Sequence, residues 1–343
     1  MTGAPVIQPR PVIGDGAPGD DAGGQLAGSQ LDGGQLDVTV IICAYTEARW
    51  QLTRAAVESV LGQEPPPKQL LLVIDHNERL AARARQEFPD LTVLESDGAP
   101  GLSGARNTGM RAAACDISVF LDDDAAARPD WLASLVQPYD DPQVVATGGG
   151  IYPVWPASAP RWMPPEFYWV VGCSYRGLPD TTSVVRNPIG ANMSMRTAEA
   201  VAVGGFDAVI GRVGTKPRGC EETELAIRLT ASRPGSAVMY VPAAIVDHSV
   251  SRERVTFSYF MRRNWHEGQS KAAVVRLAGA NAGLERERRQ VLAVLPAAVL
   301  RDLRRFCSGD VSAMPRIAAT VTGFVAAAGG YLAASTRQAI ARR

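Results

Sequence analysis

Three consecutive carboxylates, Asp122, Asp123 and Asp124, end a short apolar run from Ile117 to Leu121. Three adjacent acids at the mouth of a buried strand repel one another. A divalent cation removes that repulsion, and hard oxygen ligands suit Mg²⁺ or Mn²⁺. An Asp-x-Asp pair at a strand end is therefore a candidate site for a metal that holds a diphosphate. Solvated acids, or a cap for the next helix, are the plain alternatives. A second acidic centre lies in RGCEETELAIRL, residues 218–229, where Glu221 and Glu222 lead into an amphipathic helix through Leu225, Ile227 and Leu229. His248 closes the apolar stretch VMYVPAAIVDHSV, residues 238–250.

The elements that must position these groups are legible in the hydrophobic pattern. VTVIICAY (38–45), QLLLVID (69–75), LTVLES and ISVFLDDD read as buried strands, rich in β-branched residues and bounded by polar clusters. Between them, Trp50 to Leu61 and ERLAARARQEF read as helices, and GLSGARNTGMRAAA (101–114) as a Gly-rich loop running into a helix. Strands alternating with helices predict a mostly parallel sheet with helices on both faces. Ligands of such sheets sit beyond the carboxyl ends of the strands, where Glu47, Asp75, Arg106 and the three aspartates all fall.

Further along, WLASLVQPY reads as a helix and VVATGGGIYPV as a strand. APRWMPPEFYWVVGCSYRGLP (159–179) is crowded with aromatics and prolines, the mark of a pocket wall or a packed excursion. NPIGANMSMRTAEAVAVGGFD (187–207) reads as strand, turn and helix, and VMYVPAAIVDHSV as two short strands. Basic helices follow from Glu285 to Leu303. The apolar segment Ile317–Ala334 is long enough for a membrane span but mostly Ala, Gly and Thr. With Arg301, Arg304, Arg305 and Arg316 near it, peripheral membrane contact and a plain packed helix pair are the competing readings.

Composition bounds the function. Lys+Arg and Asp+Glu both number 35, a formal net charge of +0, which argues against nucleic acid as a partner. The five cysteines are scattered and odd in number, so neither a disulfide framework nor a zinc site is expected, and a reducing compartment is. The N-terminal MTGAPVIQPRPVIGDG lacks the apolar core of a signal peptide, which points to the cytoplasmic side of the membrane. Residues 1–36, rich in Gly, Pro, Asp and Gln, are expected to be disordered.

In their order and spacing, VTVIICAYTE, VID, GLSGARNTG, FLDDDA, GCEETELAIR and VDH resemble family 2 glycosyltransferases of the GT-A fold, over residues 38–275. FYWVVGCSYRGLP, NPIGANMSMR and RRNWHEGQSKA resemble a narrower group that transfers sugars, glucuronic acid among them, to polyprenyl-phosphate-linked glycans. The resemblance implies an α/β fold with a mostly parallel central sheet, flanking helices and a C-terminal helical extension. It divides the chain into 1–36, a catalytic domain 37–275 and a helical segment 276–343. It implies an inverting, Mg²⁺- or Mn²⁺-dependent transfer from a nucleoside-diphosphate sugar, most simply a UDP-sugar. The acceptor would be a hydroxyl of a glycan, a glycolipid or a small molecule.

Residue by residue, the resemblance gives Ala44, Tyr45, Thr46, Glu47 and Asp75 contacts to the nucleotide; the alternative for Asp75 is an Asx turn. His76 stands where the family often has a second acid, which leaves base preference open. Arg106 matches a position near the nucleotide, or is an ordinary helix-start pair with a carboxylate; Asn107 shapes that turn. Asp124, Asp122 and His248 match metal ligands, with Asp122 also reaching the ribose and Asp123 able to share either role.

Glu221 and Glu222 replace the family's usual Glu-Asp pair. Register puts Glu222 at the base position, with Glu221 as the alternative, and two adjacent carboxylates should push one pKa up. Glu224 and Arg228 read as i,i+4 helix support. Arg263 and Trp265, with Trp169 and Asn192, are acceptor-side candidates. The spacing of Arg262, Arg263 and Trp265 departs from the Gln-x-x-Arg-Trp of processive enzymes. His266, Glu267 and Lys271 bind an acceptor phosphate or face solvent, and Trp155, Trp162, Tyr168, Trp169 and Tyr175 form a ligand platform or a core under a long loop.

Two rivals remain. A nucleotidyltransferase would carry a basic Gly-rich signature where AYTEARW stands. A non-catalytic sugar- or lipid-binding protein would not need both acidic centres. A Rossmann dehydrogenase fails for want of Gly-x-Gly-x-x-Gly after the first strand.

Overall fold

The computed structural model describes residues 31–32, 35–208 and 219–340. The disorder expected for residues 1–36 falls mostly outside them. The first half of the chain is β1 (Leu31–Asp32), β2 (Gln35–Ala44), α1 (Trp50–Leu61), β3 (Pro67–Ile74), α2 (Glu78–Glu87), β4 (Thr92–Glu95), α3 (Leu102–Ala112) and β5 (Ile117–Asp122). Then come β6 (Ala125–Ala127), α4 (Trp131–Val136), β7 (Val144–Val154), β8 (Ser183–Val185), β9 (Asn192–Arg196), α5 (Thr197–Ala202), α6 (Glu221–Ser232) and β10 (Ala237–Ser249). Helices α7 (Phe257–Arg289), α8 (Leu295–Cys307) and α9 (Ala313–Ile340) complete it.

The sheet order is β4-β3-β2-β5-β9-β7-β10-β6, with β1 paired to β2 and β8 to β10. The expected parallel run is β4-β3-β2-β5, and β7 and β10 are parallel as well. Strand β9 lies antiparallel between β5 and β7, so the whole sheet is mixed. The reason is local. A parallel neighbour needs a crossover, usually helical. Between β7 and β9 the chain instead makes the aromatic excursion, with one 3₁₀ segment at Pro165–Val171, and enters β9 from the opposite edge. The two strands expected in residues 238–250 are one, β10, broken by a register shift between Val241 and Ile245.

Alternation places Val40, Ile42 and Ala44 of β2 against one face of helices, and Ile41 and Cys43 against the other. Both faces are buried, which is why the strands read as continuous apolar runs. The division expected between 275 and 276 falls inside α7, which continues unbroken to Arg289. Helix α9 packs along α7 at very short range: a Cβ on Gly268 would lie 1.9 Å from the Ala327 carbonyl oxygen, and one on Gly330 2.1 Å from that of Trp265.

Most of the aromatic excursion is packing. Trp162 and Phe167 meet Phe260 with ring centroids 5.4 and 5.3 Å apart, and Trp155 meets Tyr168 edge-on at 5.2 Å. Only Trp169 and Tyr175 of the expected platform line the cavity described next.

Candidate active site

The parallel strands deliver their carboxyl ends to one edge. Cys43 of β2 is in register with Asp122 of β5, so Ala44 to Glu47 leave the sheet beside the acidic triplet. The Ala44 carbonyl accepts from the Asp75 N–H at 2.8 Å, and the Tyr45 carbonyl from Asn77 Nδ2 at 3.1 Å. Thr46 accepts from the Ala48 N–H, opening a short 3₁₀ turn on which Glu47 and the ring of Tyr45 are exposed. Asp75 makes no Asx turn. One oxygen accepts from the Gly101 N–H (2.9 Å) and the other faces His76 Nδ1 (2.8 Å), which ties the end of β3 to the start of α3.

The triplet divides by role. Asp122 faces the cavity and accepts from Arg106 at 3.0 Å. Asp123 turns back to Arg49 at 3.1 Å, and its second oxygen has no partner among the described residues. Burial, then the charge of Asp124, raise the Asp123 carboxyl to about 7. Asp124 faces His248 Nε2 at 3.1 Å, Arg49 at 3.2 Å and Arg254 at 3.9 Å. Burial opposes its ionisation, but His248, Arg254 and Arg49 together outweigh burial and hold the carboxyl well below the usual range. Burial likewise opposes charge on His248, and Asp124 pushes it up to about 10. The other ring nitrogen of His248 is 3.8 Å from the Cys173 thiol.

Ligand atoms of Asp122, Asp124 and His248 lie within 4.8 Å of one another. Two carboxylates and an imidazole converging at the wall of an open cavity fit a hard or borderline divalent cation with coordination positions to spare. The Nε2 that now serves Asp124 is the atom such an ion would take.

Arg106 joins the two acidic centres. It is 2% exposed and donates to Asp122, to Glu221 at 3.3 Å and to the Gly190 carbonyl at 2.9 Å. The alternatives left open for it resolve as a carboxylate pair that bridges 115 residues of chain rather than one helix start. Glu221 is turned inward onto this guanidinium and buried, whereas Glu222 is half-buried and lines the cavity. Burial, then Glu221, raise Glu222 to about 7. Both acids occupy the first turn of α6, whose partial positive charge suits them. Glu224 pairs with Arg228 as expected, and Arg228 also donates to the Val203 and Gly205 carbonyls. Asn107 exchanges two 2.8 Å hydrogen bonds with the Phe206 backbone, a structural duty at a distant turn.

A cavity of about 690 Å³ joins Asp122, His248, Glu221 and Glu222 to Trp169, Arg263 and the C-terminal helices. That size suits a small-molecule site, typically ~300–1,000 Å³. Two acceptor-side candidates are not brought to it. Asn192 is 0% exposed; its Oδ1 accepts from Trp131 Nε1 (2.8 Å), and its Nδ2 donates to the carbonyls of Gly150 (3.0 Å) and Ala244 (2.8 Å). It pins β9 to β7 and β10. We expect Asn192→Ala to cost about 2–4 kcal/mol in a denaturant melt, since it strands buried partners, with Mn²⁺ binding retained. Trp265 sits on the other side of α7, against Gly329 and Gly330 of α9. Sequence reasoning missed Arg49 and Arg254, single arginines in unpatterned loops that only the fold sets against the aspartates.

Residues 39–200 match the model of glycosyl transferase family 2. The chain is 37% identical over 238 residues to the glucosyl-dolichyl phosphate glucuronosyltransferase of Haloferax volcanii, covering 68% of this chain and 76% of that protein. A pre-mycofactocin glycosyltransferase of Mycobacterium tuberculosis is 29% identical over 160 residues, 46% of this chain and 32% of that one. Among solved structures, the Pyrobaculum calidifontis mannosyltransferase in complex with GDP-Man and Mn²⁺ superposes with a TM-score of 0.56 at 20% identity, over 86% of this chain and 87% of that one. GalNAc-T7 with UDP, GalNAc and Mn²⁺ gives 0.50 at 17% identity, over 75% and 54%. An acidic strand end joined through Arg106 to a second acidic helix start, on a sheet of this topology, thus belongs to a known lineage: the chain is a member of glycosyltransferase family 2, an enzyme of the GT-A fold.

Proposed function

We propose that this enzyme moves a sugar, with inversion, from a UDP-sugar to a hydroxyl of a glycan carried on a polyprenyl phosphate, with Mg²⁺ or Mn²⁺ as cofactor. The observation that carries the reading is the single cavity shared by Asp122, His248 and Glu222, with Arg106 fixing the separation of its two acidic ends. Nucleotidyl transfer and non-catalytic binding, the rivals at the level of sequence, give way to family membership.

In this reading Asp122, Asp124 and His248 hold the cation, which when bound offsets the charge that builds on the departing diphosphate. Ala44, Tyr45, Thr46, Glu47 and Asp75 form the nucleotide shelf beside it, and Arg49 and Arg254 keep the aspartates in place. Glu222 accepts the proton of the acceptor hydroxyl on its carboxylate. The acceptor oxygen bonds to the anomeric carbon as the bond to the diphosphate oxygen breaks on the opposite face. No covalent sugar–enzyme species forms. Trp169 and Arg263, whose guanidinium lies 5.4 Å from the Trp169 ring centroid, line the acceptor half.

Residues Ala313–Arg337 of α9 are long and apolar enough to cross a membrane: an 18-residue window has mean hydropathy 1.6, and only 28% of that window is buried. Its tight contact with α7 favours lying on a membrane surface over crossing it. Outward Val321, Val325 and Leu332 would face lipid and Arg304 and Arg305 the headgroups, on the cytoplasmic side.

The test is a thermal-shift panel of UDP-, GDP- and dTDP-sugars, with and without Mn²⁺. Ligand at a hundred times its Kd stabilises the native state by about 2.7 kcal/mol. We expect an Mn²⁺-dependent rise with UDP-sugars. A shift confined to GDP-sugars would overturn the donor, and one indifferent to metal would overturn the cofactor.

A further inference from the structure

The segment that carries Trp169 to the cavity ends against the metal cluster. After the 3₁₀ turn Pro165–Val171, the Gly172 N–H donates to the Trp169 carbonyl at 3.0 Å and the Cys173 N–H to the Tyr168 carbonyl at 3.1 Å. Ser174 then ties the chain to β7 twice. Its N–H donates to the Ile151 carbonyl and its Oγ accepts from the Ile151 N–H, both at 2.9 Å. Cys173 is thus held from both sides and is 0% exposed. Gly172 takes a φ of +87°, a left-handed conformation that suits glycine. Its backbone lies along the His248 ring: a Cβ there would stand 3.5 Å from Cε1 and 3.6 Å from Nε2.

The two nitrogens of His248 have different neighbours. Nε2 faces Asp124, in the cluster that Asp122 completes. Among the described residues, the hydrogen-bond partner of Nδ1 is the Cys173 sulfur, at 3.8 Å. An imidazole that gives the Nε2 lone pair to a cation keeps its proton on Nδ1. That proton needs an acceptor, and a ligating histidine normally finds a carboxylate, a backbone carbonyl or a water. Here it meets a thiol whose own proton is directed at the Val171 carbonyl, 4.0 Å away, which leaves the sulfur lone pairs for the ring. The partner suits the charge of the place. Asp122, Asp123 and Asp124 already crowd this edge, and a further carboxylate behind His248 would add to their repulsion. A neutral sulfur orients the ring and adds no charge.

We propose that Cys173 is a positioning residue for the metal centre: its sulfur accepts the Nδ1–H of His248 and so turns the Nε2 lone pair toward the cation. This role rests on the reading of Asp122, Asp124 and His248 as metal ligands. One short segment then walls the cavity through Trp169 and steadies the cluster through Cys173.

The test measures Mn²⁺ affinity in the presence of UDP, from the electron paramagnetic resonance signal of free Mn²⁺ titrated with the full chain. Loss of a group that orients a metal-bound histidine lowers affinity by about 10–100-fold, so Cys173→Ala should weaken Mn²⁺ by at least about tenfold. Cys173→Ser, close to Ala in size but with an acceptor, should fall between Ala and the wild type. In His248→Gln, which has no imidazole to orient, adding Cys173→Ala should weaken Mn²⁺ no further. A merely structural role would lower the metal-free melting temperature of the Ala and Ser variants alike and leave Mn²⁺ affinity where it was.

Unchanged Mn²⁺ affinity in Cys173→Ala would overturn the proposal. So would equal losses in Cys173→Ala and Cys173→Ser, or a loss that persists in full in the His248→Gln background. Pulsed electron paramagnetic resonance of the Mn²⁺–UDP complex reports the underlying metal reading separately. If the wild type shows no nitrogen coupling that His248→Gln abolishes, His248 is not a ligand, and the role of Cys173 falls with it.

Discussion

Glu222→Gln should lower sugar transfer by at least about a thousandfold while Mn²⁺-dependent UDP binding persists. General-base catalysis contributes about 10²–10⁴-fold, and a carboxamide of the same size cannot take the proton. Glu222 is the one acid of its pair that is half-open to the cavity, since Glu221 is turned onto Arg106. With Glu222 raised to about 7, first by burial and then by Glu221, the basic form is a minority below neutrality. The wild-type kcat/KM should therefore rise about tenfold per pH unit up to ~7 and level above it.

The stability sign runs the other way. The unfolded chain releases this proton near 4.5 and the folded chain near 7, so the native state loses stability as pH rises through that window. At pH 8 the Gln variant should melt no earlier than the wild type, which separates a lost base from a damaged fold. Undiminished transfer by Glu222→Gln would remove its role, and the same loss in Glu221→Gln with Glu222 intact would pass it to the neighbour.

Asp124→Asn should have an effect of similar size for a different reason. Asp124 is the one carboxylate that faces His248, Arg49 and Arg254 together. Its replacement removes an anionic metal ligand, and both transfer and the Mn²⁺-dependent UDP shift should fall below detection. It also removes the carboxylate that keeps His248 charged and an anionic partner of Arg49 and Arg254, and breaking a buried pair costs about 3–5 kcal/mol. The metal-free variant should thus melt well below the wild type. Because the folded-state pKa of Asp124 is depressed, its contribution is fully present at neutral pH. It is lost only as pH falls below the ordinary carboxylate range, so the gap between the two melts should close toward strongly acid pH. Mn²⁺-stimulated transfer surviving in Asp124→Asn would exclude it as a ligand.

How much of this was legible from residues alone follows from the length scale of each signal. Strands β2, β3 and β5 are continuous apolar runs that need no partner to be read, and the acids stand at their ends. The i,i+4 series Arg263, Glu267 and Lys271 marks one helix face. The same geometry explains an error: residues two apart on a helix point about 200° away from each other, so Arg263 in the cavity puts Trp265 behind it. Asn192 shows a different limit. Alternation along β9 sorts side chains into two faces but does not say which face meets a ligand. Arg49 and Arg254 were invisible because only the closed sheet brings residues 74 and 130 positions apart to the same carboxylates. The direction of β9 was hidden for the same reason, being decided by an irregular excursion rather than by any periodic pattern.

Helix α9 invites the view that the C-terminus is an interchangeable anchor. An anchor is a rod that any other greasy rod can replace. This rod is keyed: backbone meets backbone at Gly268 and Gly330, and no side chain fits there. The same helix supplies Phe324, Tyr331 and Leu332 to the cavity wall. On the proposed function, resting on a membrane and shaping the acceptor's pocket are tasks of one piece of chain, and tail exchange between relatives should carry acceptor choice along with it.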